Sequence, residues 1–311
     1  MRVRVVLSLM LLLATFELGA QLTVQVDEAV LPGGVITVEV LAGTTVEELS
    51  VDLRDGESRL SANRGVALPV EGGGERWVAL VGVSSTIRPG RYEIVVSADP
   101  GGEARRVVTV LPRDFRVSEI RLNESISSLR REEDPRKREE ALEMLAVTNG
   151  FDSASRFWAG LFRLPLDTIR RTSRYGDRRR FVYADGGEAR SIHRGLDFAA
   201  PQGTPVYAPG AGRVVFASSR IVTGNSVVIE HFPGVYGLFY HLEPISVSPG
   251  DLLEQGAQIG TVGTTGVSTG PHLHWELRVG GVSVDPEAFL DAPLVDTTGE
   301  PGALSDQTEG G

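Results

Sequence analysis

Residues Gly270-Pro271-His272-Leu273-His274-Trp275-Glu276-Leu277 alternate in character one by one. A period of two marks a strand with two unlike faces. Leu273, Trp275 and Leu277 share the face suited to a core, and His272, His274 and Glu276 share the other. A chain holding this strand must bury one side of a sheet and keep the opposite side free for polar chemistry. Two imidazoles then sit about 6.6 Å apart at Cα on one rigid element. That is a usual start for a zinc site.

Further ligands are expected in Ser191-Ile192-His193-Arg194-Gly195-Leu196-Asp197-Phe198. His193 and Asp197 are four apart, an even spacing that turns both the same way on a strand. Gly195 between them and Pro201 just after argue against a helix. Joined by one of His272 or His274, they make a His₂Asp set with a fourth position open, the pattern of a catalytic zinc site. The spacing does not choose between the two later histidines. The chain has five histidines, and four of them, His193, His241, His272 and His274, lie in such contexts. No His-Glu-x-x-His occurs, so a helix-borne metalloprotease site is not supported. The glycines from Gly250 to Gly270 precede no Gly-Lys-Ser/Thr and read as tight turns, not a phosphate loop.

With these residues in view, the chain resembles the lysostaphin-type zinc endopeptidases, which cut peptide bonds in bacterial peptidoglycan. The likeness runs from about Leu164 to Leu290. It includes His193-Arg194-Gly195-Leu196-Asp197-Phe198, Gly203-Thr204-Pro205-Val206-Tyr207-Ala208, Val227-Val228-Ile229-Glu230-His231 and Tyr240-His241-Leu242. It continues through Gly250-Asp251, Gly256, Ile259-Gly260 and Gly263 to Ser268-Thr269-Gly270-Pro271-His272-Leu273-His274 and Val284-Asp285-Pro286. The resemblance implies a two-sheet antiparallel core of the barrel-sandwich-hybrid type. It implies Zn²⁺ on His193, Asp197 and His274. It gives His241 and His272 the catalytic places beside the metal, one shuttling protons and the other stabilising the developing oxyanion. The function implied is zinc-dependent hydrolysis of peptide cross-links in peptidoglycan. The alternative is a non-catalytic wall-binding or amidase-regulating module of the same fold. Many relatives carry Tyr two places before the histidine that matches His241; here Phe239 stands there and Tyr240 is adjacent.

Glu276 shares the histidine face and is expected to orient a ligand or to pair with Arg278. His231 reads as structural, following an apolar strand and preceding the turn Pro233-Gly234.

Composition narrows the rest. The chain has 311 residues, no cysteine and a formal net charge of −10. A disulfide scaffold and a thiolate-bound zinc are excluded, and nonspecific nucleic-acid binding is disfavoured. Residues 1–20 read as a secretory signal, with Arg2 and Arg4 ahead of the apolar stretch Val5 to Phe16. The alternative is an uncleaved anchor. Either way the expected location is the periplasm or cell envelope, with peptidoglycan as the partner; an envelope protein meeting the N-terminal module is a further expectation.

Residues 21–112 show alternating segments at Leu22–Val26, Val35–Leu41, Leu49–Leu53, Trp77–Val83, Tyr92–Val96 and Val107–Leu111. Turn signals such as Pro32-Gly33-Gly34, Gly72-Gly73-Gly74 and Pro89-Gly90 separate them. A small Ig-like β-sandwich that packs, spaces or binds is expected. Residues 113–163 form a partly helical connector. Asp134 caps a helix with Pro135 at its first position, Asn149-Gly150 ends it, and Leu142, Leu145 and Ala146 make its apolar stripe. The basic run Arg170 to Arg180 reads as a solvated loop, with a rim for anionic wall polymer as the alternative. Residues 164–290 are expected to fold alone as the peptidase domain, and 291–311 to be a disordered tail. The whole chain is then mainly β.

Overall fold

A computed structural model describes residues 22–43, 45–69, 75–167 and 170–295. The expected signal at 1–20, the Gly72-Gly73-Gly74 turn and the tail from 296 lie outside the described residues.

The N-terminal module is a sandwich, because short alternating strands each bury one face. Its strands are β1 (Leu22–Val26), β2 (Ala29–Val30), β3 (Val35–Ala42), β4 (Glu48–Asp55), β5 (Ser58–Arg64), β6 (Val66–Pro69), β7 (Glu75–Gly82), β8 (Gly90–Asp99) and β9 (Gly102–Val110). One sheet runs β1-β3-β7-β6 and the other β2-β9-β8-β4-β5. Ile36, Val38, Leu49, Val51, Ile94 and Val96 fill the space between them. The polar strand β5 had no alternating apolar signal, since its residues are exposed or half-buried.

The outward face of β6 and β7 is apolar too. Val66, Leu68, Val78 and Leu80 belong to the same buried cluster as Leu277, Val279 and Val284 of the C-terminal region. The sandwich is therefore docked on the second module and shares its core. Arg113 strengthens the seam, donating to the Pro32 carbonyl and pairing with Asp285.

The connector holds β10 (Val117–Arg121), α1 (Glu124–Arg131) and α2 (Pro135–Thr148). Helix α2 begins as expected: Asp134 accepts from the Arg136 amide and Pro135 opens the first turn. Its buried face differs from the expected stripe. Leu142 and Leu145 are 55% and 45% exposed, and Met144 and Thr148 are the buried positions. Met144 packs on Phe216, Val228, Tyr236, Leu238 and Tyr240. The helix is thus a lid on the C-terminal sheet and not only a solvated link.

The C-terminal region continues with β11 (Arg171–Ser173), β12 (Arg178–Val182), β13 (Glu188–Ile192), β14 (Gly195–Ala199), β15 (Pro205–Tyr207), β16 (Gly212–Arg220), β17 (Gly224–Phe232), β18 (Val235–Ile245), β19 (Leu252–Leu253), β20 (Gln258–Val262), β21 (His272–Val279), β22 (Val282–Val284) and α3 (Ala288–Asp291). The main sheet is ordered β11-β14-β21-β18-β17-β16-β19, with β15, β20 and β22 attached, and does not close into a barrel. A smaller sheet, β10-β12-β13, joins the connector to the region, with β10 parallel to β12. The expected solvated loop at 170–180 is instead largely β11 and β12, because these residues find pairing partners in β14, β10 and β13. The chain also stays packed past residue 290: Leu294 and Val295 are buried and their amides bond to Gly160 and Ala159.

Candidate metal centre

The strand β21 divides as its sequence pattern requires. Leu273, Trp275, Leu277 and Val279 are fully buried in the main core. His272, His274, Glu276 and Arg278 face the opposite way. Antiparallel pairing with β14 sets Asp197 directly across from His274, and Gly195 across from Glu276. Gly195 is required there by space: a Cβ would collide with the Trp275 carbonyl and come within 2.9 Å of His274 Nε2. His193 lies just before β14, where its amide donates to the Asp177 carbonyl.

Three atoms converge. His193 Nε2 is 3.0 Å from Asp197 Oδ1 and 3.0 Å from His274 Nδ1, and His274 Nδ1 is 2.8 Å from Asp197 Oδ1. The outer ring nitrogens face acceptors. His193 Nδ1 donates to the Arg174 carbonyl at 2.8 Å, and His274 Nε2 faces Glu276 Oε2 at 3.8 Å. This leaves the two inner nitrogens and the carboxylate oxygen as lone-pair donors aimed at one another. A cation placed between them would engage all three. Tetrahedral zinc, with bonds of about 2.0–2.2 Å to nitrogen and oxygen, separates its ligands by about 3.3 Å, close to what is seen. The donor set fits zinc.

The charges agree. Burial pushes the Asp197 carboxyl up, but hydrogen bonds with His193 and His274 outweigh it and hold the group well below 3.8. Burial pulls His193 down, against the opposing pull of Asp197. Glu276 is kept ionised in spite of its burial, chiefly by Arg278 and then by His274. Arg278 Nε donates to Glu276 Oε1 at 2.7 Å, the pairing expected from the sequence.

His241 and His272 flank the cluster, their rings 4.6 Å apart. Each is anchored through Nδ1, His241 to the Thr265 carbonyl at 2.7 Å and His272 to the Gly270 carbonyl at 2.8 Å. Each therefore keeps Nε2 free, and that of His272 lies 3.9 Å from Asp197 Oδ1. Burial, then the neighbouring His272, pushes the His241 imidazole down to about 3. His241 has a φ of 63°, rare outside glycine. Left-handed backbone costs a residue with a side chain about 1–2 kcal/mol. It breaks the alternation of β18, so that Tyr240 and His241 both line the cleft while Phe239 stays in the core.

Two contacts at the site had no local signal in the sequence. Tyr240 stacks on His274 with centroids 5.1 Å apart and planes 6° from parallel. Arg179, from the basic run, pairs with Asp197. His231 is remote and fully buried, its Nδ1 donating to the Ala211 carbonyl and its ring 4.8 Å from that of Phe162.

Residues 191–286 match the profile of Peptidase family M23. DD-carboxypeptidase/endopeptidase Mpg of Neisseria meningitidis serogroup B is 47% identical over 95 residues, 30% of this chain and 22% of that protein. Peptidoglycan DD-endopeptidase ShyC of Vibrio cholerae serotype O1 is 39% identical over 139 residues, 44% of this chain and 31% of that protein. The chain therefore spans under a third of these curated relatives. A crystal structure of a candidate M23 peptidase from Pseudomonas aeruginosa aligns over 84% of this chain and 94% of that one, at 27% identity and a TM-score of 0.59. That coverage reaches well outside 191–286, into the connector and sandwich. The chain carries a domain of peptidase family M23, the lysostaphin-type family.

Proposed function

We propose that the protein is a zinc-dependent endopeptidase that hydrolyses peptide cross-links of bacterial peptidoglycan. The observation that carries this reading is the convergence of His193 Nε2, His274 Nδ1 and Asp197 Oδ1 beside two further histidines with free Nε2 atoms. The relatives named peptidoglycan DD-endopeptidases support the substrate class.

His193, Asp197 and His274 would hold zinc. Bound there, the metal supplies Lewis acidity, which polarises an amide carbonyl and lets water attack near neutral pH. His241 and His272 act on the protons. Each donates its Nδ1–H in a hydrogen bond to a backbone carbonyl, which leaves the Nε2 lone pair available, so one of the two can accept a proton and return it to the leaving amine while the other stabilises the developing oxyanion. A protonated Nε2 also stabilises negative charge on the carbonyl oxygen. The cleft has a volume of about 610 Å³ and is also lined by Ile120, Phe181, Met144 and Leu145.

The non-catalytic alternative is disfavoured, because no member of the histidine and aspartate set is missing. The proposed location is the periplasm or cell envelope. No helix among the described residues is long and apolar enough to cross a membrane. The test is digestion of purified sacculi with the zinc-loaded protein and mass spectrometry of the fragments. Loss of cross-linked dimers with gain of monomers is expected. Unchanged muropeptides under conditions where zinc is bound would refute the enzyme.

A further inference from the structure

We propose that Arg179 is the positioning residue of the metal centre, and that the strand carrying it, β12, outside the family-matched segment, determines how tightly metal is held. The inference rests on the metal-centre reading above.

Asp197 has two carboxylate oxygens with different work. Oδ1 faces His193 and His274. Oδ2 receives Arg179 Nη2 at 2.5 Å, with both side chains largely buried. The same Nη2 donates to Ser173 Oγ at 2.7 Å, and Ser173 Oγ donates to Asp177 Oδ2 at 2.9 Å. Asp177 also accepts from the Arg174 amide, and the Arg174 carbonyl takes the Nδ1 proton of His193. The turn after β11 and the strand β12 that follows it thus steady two of the three donors, His193 through the Arg174 carbonyl and Asp197 through the charge of Arg179.

The backbone of Arg179 is itself fixed. It sits on the middle strand of the small sheet, paired with Ser118 on β10 and Ser191 on β13. A carboxylate whose outer oxygen is held in this way cannot rotate from the metal, and offers a single oxygen to it. Partners of this kind commonly carry about 10–100-fold in metal affinity. Arg179 and the strand β12 precede residue 191, where the family match starts. The connector strand β10 therefore reaches the metal through Arg179.

The test is zinc affinity by competition with a chromophoric chelator, on the full chain. Arg179→Gln is expected to weaken zinc about 10–100-fold. Arg179→Lys should recover part of the loss, since an ammonium restores the charge with different reach. Arg180→Gln is the control: Arg180 pairs with Glu119 and Glu188 on the exposed side of the same strand, and should keep full affinity. Zinc affinity in Arg179→Gln within about twofold of the natural chain overturns the proposal. If Arg179→Gln fails to fold, Arg179→Lys decides, with unchanged affinity again overturning it. Equal losses in Arg179→Gln and Arg180→Gln would assign the effect to net charge and also overturn it. A natural chain that holds no zinc overturns the metal-centre reading together with this one.

Discussion

Arg278 donates to the hydroxyl of Thr148 at 3.1 Å, joining the last turn of the connector helix to the strand of the metal cluster. Arg278 also holds Glu276, which faces His274. Met144, one turn earlier on the same helix, covers Phe216, Val228, Tyr236 and Leu238.

A chain starting at residue 164 loses this lid, β10 and the docked sandwich together. Contrary to the expectation from motif boundaries, it should be unstable. Burying a single large apolar side chain contributes about 1.5–3 kcal/mol, and several would be uncovered. Thermal unfolding and aggregation of fragments 164–295 and 113–295 should be compared with the full chain. The shorter fragment should unfold or aggregate at markedly lower temperature; equal melting would show that the lid is dispensable.

The two histidines of β21 share a face but should differ in role. His272→Ala is expected to keep zinc and lose about 10²–10⁴-fold in turnover, since proton-transfer groups contribute on that scale. His274→Ala should lose zinc as well, as should Asp197→Ala. Zinc content and cross-link cleavage are measured on the same preparations. Zinc lost from the His272 variant and kept by the His274 variant would reverse the roles.

Gly195→Ala tests how closely β14 and β21 must approach. The added methyl meets the Trp275 carbonyl, which is backbone and cannot swing aside. Overpacking of this sort costs about 1–3 kcal/mol, and here it also parts Asp197 from His274. Lower melting temperature and weaker zinc binding are expected together. A stable variant with natural zinc affinity would mean that the strands can separate without cost.

His231 should make the fold acid-sensitive. Burial pushes its imidazole from 6.5 down to about 4, and its Nε2 has no partner among the described residues. The folded state thus favours the neutral ring. That stability is complete above pH 6.5 and is lost as pH falls toward 4, because the unfolded chain protonates first. The gap corresponds to on the order of 3 kcal/mol. Urea unfolding at pH 7.5 and 5 should show the loss in the natural chain, and a smaller one in His231→Leu. Equal pH dependence in both would remove His231 as the cause.

The sequence alone determined what depends on near neighbours. Alternation made Gly270–Leu277 a two-faced strand, because successive side chains leave a strand on opposite sides. The Asp134-Pro135 cap and the Asn149 stop placed α2 from end to end, because capping is local. Resemblance of short motifs then picked out His193, Asp197, His241, His272 and His274, and the fold does bring those five side chains to one cleft. Tertiary structure decided the rest. Leu142 and Leu145 formed the expected stripe, yet Met144 and Thr148 are buried, because a weakly amphipathic helix takes its buried face from the surface it meets. Arg179 gave no signal among six arginines between Arg170 and Arg180, since its partner Asp197 arrives only through sheet pairing. Tyr240 meets His274 because β18 pairs with β21 and sets the two directly across from each other, and His241 follows it into the cleft because its left-handed backbone breaks the alternation. Each of these depends on contacts distant in the chain, which local pattern and propensity do not encode.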